Sequence, residues 1–263
     1  MLAACMCNHP ERLGAALAPL GLSVPGPITR WAMAWVHGGE VLVARTPRPA
    51  EAGLDLGPAL ADPRSDCVLL TALSADDGGD PDDQPPSRFR RWMLSEDPTL
   101  TVDADRWPAL AAHIPDFLRR NLRGRTTAEL TLHTLVALLH DQGRTDELTI
   151  RVGELARVVV EATSLVRGAL ERAGLPSPGG AVAVSNSRAL IVASRDLPLA
   201  IHALHVDNDR GQRDPSFRGV LVTAGIAAPA APDPDRPVPE LVPAGSLVTV
   251  SRDLQLTIAA LPR

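Results

Sequence analysis

Residues 107–173 carry apolar side chains at helical spacing, and short apolar runs of strand character lie on both sides of them. That order of strands, then helices, then strands constrains the chain most. It points to an α+β fold in which an antiparallel sheet core is covered by helices. In the first strand set, 28–37 places Trp31, Met33 and Trp35 on one face and Ala32, Ala34 and Val36 on the other. Gly38-Gly39 then turns the chain into 41–44, a hairpin signal. The continuous apolar run 67–73 reads as a buried strand and 89–95 as a short one, whereas 46–63 reads as Pro-rich and irregular and 74–87 as an acidic exposed loop.

In the helical stretch, Trp107, Leu110, Ile114, Phe117 and Leu118 have helical spacing, with Pro115 expected to kink or split the segment. Thr126-Thr127-Ala128-Glu129 is a capping box, which opens a helix through Leu130, Leu135, Leu138 and Leu139 that Gln142-Gly143 ends. A second helix spans 150–173 and stops at Gly174. Strands return at 181–184 and 189–193, joined as a hairpin, and at 199–206, 220–223, 247–250 and 254–259. The Pro-rich stretch 227–240 reads as a stiff loop inside one domain spanning 1–263.

Composition narrows the function classes. A net charge of −5 gives no polyanion-binding signature, so nucleic acid is not an expected partner. No stretch approaches the ~18 apolar residues of a membrane span. All 26 basic residues are Arg, and Lys and Tyr are absent, so neither supplies a catalytic group. Three cysteines, Cys5, Cys7 and Cys67, do not make a disulfide framework and suit a reducing cytoplasm. Leu2-Ala3-Ala4-Cys5 has the look of a lipoprotein cleavage box, but only Met1 precedes it, so it is set aside.

Met6-Cys7 offers a second translation start. Loss of Met6 leaves Cys7 with its thiol and a free α-amine on one framework, a nucleophile beside a base. An apolar run, 13–20, follows it. The other chemistry-bearing residues have plainer readings. Cys5, Cys7, His9 and His37 lack a zinc spacing, and Asp76, Asp77, Asp80, Asp82 and Asp83 do not match a calcium loop. Arg88, Arg90 and Arg91 beside Trp92 read as a solvated edge strand, with a carboxylate or phosphate clamp as the alternative.

Four stretches together resemble the class II glutamine amidotransferases of the N-terminal-nucleophile hydrolase fold, and among them the ergothioneine-pathway amidohydrolase branch. They are Met6-Cys7 with its following apolar run, Trp31-Ala-Met-Ala-Trp35 before the Gly turn, the hairpin from Ala181 to Ala193, and Val242-Pro-Ala-Gly-Ser-Leu-Val-Thr-Val250. The resemblance implies a four-layer αββα sandwich of two antiparallel sheets, with the nucleophile at the head of the first strand facing a cleft that also holds Trp31. It implies a terminal Cys that attacks a glutamine or γ-glutamyl amide, with its own amine as base and no cofactor.

It also implies three supporting groups, and this sequence departs at each. Leu73 stands where an Arg would bind the substrate carboxylate. Asp97-Pro98 replaces the Asn-Gly of the oxyanion hole, and Pro98 has no N–H to donate. Thr127 replaces the Asp that would bind the substrate amine. The expectation is a degenerate glutaminase site on a pseudoenzyme that binds a partner protein or a small amide ligand, with Arg88 as a substitute anchor. The alternative is an active Cys7 amide hydrolase whose substrate is not free glutamine.

Overall fold

The structure, a computed structural model, describes residues 1–46, 50–73, 83–147, 149–208, 210–226 and 237–262. Two antiparallel sheets organise the chain. The seven-stranded sheet is built from β1 (Leu2–Cys7), β3 (Arg30–His37), β4 (Glu40–Thr46), β6 (Cys67–Leu73), β11 (Leu199–Leu204), β12 (Gly219–Ala224) and β13 (Glu240–Val242). Its order is β13-β11-β12-β1-β6-β3-β4. The six-stranded sheet runs β15-β14-β10-β9-β8-β7, from β7 (Ser87–Phe89), β8 (Trp92–Asp97), β9 (Ala181–Ser185), β10 (Leu190–Ser194), β14 (Ser246–Val250) and β15 (Leu256–Ala260). A two-residue pairing of β2 (Ser23–Val24) with β5 (Leu54–Asp55) completes the strands. The helices are α1 (Leu13–Leu17), α2 (Leu56–Ala61), α3 (Trp107–Leu110), α4 (Asp116–Arg119), α5 (Thr127–Asp141) and α6 (Val152–Arg172).

Strand alternation distributes side chains over three cores. Leu2, Ala4, Met6, Ala34 and Leu69 meet Ala183, Val192 and Val248 between the sheets. Cys5, Met33, Val68 and Leu70 point the other way, under Leu13, Leu17, Leu56 and Leu60 of α1 and α2. On the outer face of the six-stranded sheet, Leu94, Val184 and Ile191 pack under Leu132, Leu135, Leu139, Leu155, Val159 and Val166 of α5 and α6. The expected α+β mixture of antiparallel sheets and helices is what the chain forms. Trp31, Met33 and Trp35 all pack on the α1–α2 side and Ala34 and Val36 between the sheets, as the period of two requires.

Several local expectations change. β1 pairs in full with β12 on one side and through Leu2–Met6 with β6 on the other, and all six of its residues are buried. It is a middle strand, with Cys7 at its end and not at its beginning. The strand read at 89–95 is a hairpin instead: β7 and β8 pair across Arg90, which takes the left-handed conformation (φ 51°) without being Gly or Asn. The 46–63 stretch contains α2, whose N-cap Asp55 accepts from the Gly57 N–H at 3.0 Å. Gly38 and Gly39 turn β3 into β4 with φ of 60° and 84°, the paired positive angles a tight hairpin demands. Pro115 does divide its segment, into α3 and α4. Most of the acidic loop 74–87 and of the Pro-rich stretch 227–240 lies outside the described residues.

Candidate functional site

β8 ends in Glu96-Asp97, and strand alternation sends these two carboxylates to opposite faces of the six-stranded sheet. Asp97 reaches the head of β1. Its Oδ2 lies 3.0 Å from the Met1 α-amine, with the two side chains only 3% and 13% exposed. The same amine donates to the Ala72 carbonyl at 2.9 Å, and the Ala72 N–H returns a bond to the Met1 carbonyl at 3.1 Å. Leu73 follows directly, its carbonyl accepting from the Thr29 N–H and hydroxyl at 2.9 and 3.1 Å. Two glycines allow this convergence. A Cβ on Gly180 (φ +108°) would stand 2.2 Å from the Asp97 carbonyl, and one on Gly225 (φ +69°) would stand 3.3 Å from Asp97 Oδ2. The result is an amine clamped between a carboxylate and a carbonyl, which commits two of its three donors.

Glu96 faces α5. The Thr127 hydroxyl donates to Glu96 Oε2 at 2.5 Å, and the Thr99 hydroxyl lies 3.4 Å from the same oxygen. Burial pushes the Glu96 carboxyl up to about 7, although these two hydrogen bonds oppose the shift. Thr127 is fully buried in the first turn of α5 and also accepts from the Leu100 N–H at 3.1 Å. A cavity of about 50 Å³ adjoins Glu96, lined in part by Thr131, Thr163 and Gly180. Glu96 carries no signal in the sequence, because a single carboxylate in an apolar strand gives no hint of the hydroxyls that the fold brings to it.

The remaining candidates lie elsewhere. Cys7 is six residues along an extended strand from Met1, about 20 Å away. It is therefore at the opposite end of β1 from Asp97, and the fold does not bring the two together. Its N–H bonds the Asp66 carbonyl at 2.9 Å, and burial pushes its thiol up to about 12. Burial likewise raises Cys67 to about 12 and raises Cys5 well above the ordinary thiol value. All three thiols are neutral at pH 7, which suppresses nucleophilicity. Trp31 pairs with Ala72 in the ladder but packs on the α1–α2 face, across the sheet from Asp97. Arg88 sits on β7, at the sheet edge, and donates to the Val41 carbonyl at 2.5 Å. Asp97 thus meets Met1 and Ala72 at one place, one residue before Leu73, with Thr127 behind Glu96 on the other face of β8, while Cys7, Trp31 and Arg88 do not join them.

Antiparallel sheets and helices in an α+β arrangement define the fold class. No protein-family model and no curated protein matches the chain. Among solved structures it is similar to a glutamine aminotransferase class-II domain protein from Silicibacter pomeroyi, with a TM-score of 0.55 and 16% identity over 100% of both chains. It is also similar to a predicted glutamine amidotransferase from Pseudomonas aeruginosa, with a TM-score of 0.55 and 13% identity over 98% of this chain and 99% of that one. At these identities the likeness is one of fold: the chain has the fold of class II glutamine amidotransferase-like proteins. Among the described residues no helix is long and apolar enough to cross a membrane.

Proposed function

We propose that residues 1–263 form a single class II glutamine amidotransferase-like domain, a four-layer αββα sandwich, whose glutaminase site is degenerate and which binds a ligand or partner without hydrolysing glutamine. The observation that carries this reading is the head of β1. The resemblance puts its nucleophile there, and the position is taken by Leu2, whose side chain has no nucleophilic group. All three cysteines lie elsewhere: Cys5 and Cys7 toward the far end of β1, and Cys67 opposite Met6.

The electrostatics point the same way. Oxyanion stabilisation needs N–H donors where negative charge develops. Asp97 instead presents a carboxylate, and Pro98 has no N–H. Leu73 offers no charge to a substrate carboxylate, and the Thr127 hydroxyl is already committed to Glu96. The four stretches named above are read as a resemblance to the ergothioneine-pathway branch, and a cytoplasmic location suits three unpaired buried thiols.

The rival, a Cys7 hydrolase formed by removing everything before Cys7, would discard Leu2–Met6 from the middle of the seven-stranded sheet. No feature of the described residues favours it. The test is ammonia release from glutamine, and from a panel of γ-glutamyl amides, by the full chain with Cys7→Ala as control. The expected result is no release above the control for any of them. Glutamine turnover that disappears in Cys7→Ala overturns the proposal, and turnover of another amide alone establishes the rival.

A further inference from the structure

An open groove of about 690 Å³ lies at the other end of β8 from Asp97, between the β3–β4 turn, the β7–β8 turn and the residues that follow α4. Its charge is one-sided. Among the described residues, Arg88, Arg90, Arg91 and Arg123 line it, against the single carboxylate of Glu40. This stands out on a chain whose net charge is −5, because a local positive strip then has to be held together against its own repulsion.

Two of the four guanidiniums are fixed in place. Arg88 is tied to the Val41 carbonyl. Arg90 holds Asp146 through Nη1 at 2.7 and 3.0 Å from the two carboxylate oxygens, so a carboxylate already fits this rim. Arg91 and Arg123 are exposed and have no hydrogen-bond or ion-pair partner among the described residues. Beside them Phe117 leaves 42% of its surface in water, an uncommon exposure for a ring of its size.

We propose that this groove docks an acidic segment of a partner protein, whose carboxylates bind Arg91 and Arg123 and whose apolar side chains cover Phe117. Arg and aromatic side chains side by side are the residue types that anchor protein interfaces. A nucleic acid strand fits less well. Its bases need free aromatic faces, and here Arg90 lies over Phe89 at 5.5 Å while Phe117 is tilted against His140 at 4.6 Å. A long polyanion would also meet the negative remainder of the protein. The groove stands apart from the Met1–Asp97 cluster, so this proposal does not depend on whether that site is degenerate.

The test is fluorescence anisotropy with the full chain and a labelled peptide of alternating Glu and Leu. A Gln-for-Glu peptide and a labelled single-stranded oligonucleotide serve as comparisons, at about 0.05 M and about 0.3 M salt. The acidic peptide should bind, weaken with salt and outcompete both comparisons. The double variant Arg91→Glu/Arg123→Glu should lower its affinity about tenfold or more. Both residues are exposed and unpaired among the described residues, so the variant should unfold at the wild-type denaturant midpoint, and Phe117→Ala, measured separately, should also weaken binding. Equal binding of the neutral peptide, no binding of the acidic one, indifference to the double variant, or tighter binding of the oligonucleotide overturns the proposal.

Discussion

Replacing Glu96 by Gln should alter how stability depends on pH, and the magnitude follows from the environment of the carboxyl. Glu96 is 6% exposed and bonded by Thr127 and Thr99, and burial raises it from 4.5 to about 7. The folded protein therefore holds this proton more tightly than the unfolded chain does. Its contribution to stability is complete below pH 4.5 and is lost as pH rises through about 7. At about 1.4 kcal/mol per pH unit the loss is on the order of 3 kcal/mol. Gln stays neutral, and its carbonyl oxygen can still accept from the Thr127 hydroxyl.

Urea unfolding of wild type and Glu96→Gln at pH 4.5, 6 and 8 isolates the effect, because every other titrating group cancels in the difference. The variant should gain about 3 kcal/mol relative to wild type between pH 4.5 and pH 8. Parallel profiles would refute the reasoning, since they would mean that Glu96 titrates in the folded protein as it does in water.

Two further outcomes are expected. Thr126→Ala should lower stability by about 1–2 kcal/mol, seen as a shift of the urea midpoint, because the Thr126 hydroxyl accepts the Glu129 N–H at 3.1 Å at the start of α5. Deleting residues 1–6 should abolish cooperative unfolding monitored by circular dichroism, because it removes the strand that joins β12 to β6; a retained sharp transition would show that the sheet closes without it.

What could be read from sequence was the part governed by local chemistry. The apolar run 67–73 announced β6 to the residue, and the capping box located the start of α5 because Thr126 and Glu129 meet within one turn. β1 escaped because Ala, Cys and Met are indifferent strand formers, and Met6-Cys7 looked like a beginning where the fold has a strand end. The β7–β8 turn escaped because Arg90 adopts a positive φ without Gly or Asn to signal it. At the site, the resemblance points to Asp97, which does close on Met1, and to Leu73, whose neighbour Ala72 and not Leu73 itself bonds the Met1 amine. Glu96 was invisible because its partners lie 3 and 31 residues away. The face that Trp31 takes is not legible in the sequence, because alternation tells which residues share a face, not which face meets the other sheet.

The central claim, that no thiol of this protein acts as a glutamine-directed nucleophile, is tested most directly by covalent capture. The native full chain is incubated with an electrophilic diazoketone analogue of glutamine, and intact mass and peptide mapping follow. The account predicts unmodified Cys5, Cys7 and Cys67, each neutral and buried, with labelling only after the protein is unfolded. Stoichiometric labelling of one cysteine in the native protein, suppressed by excess glutamine, would contradict it.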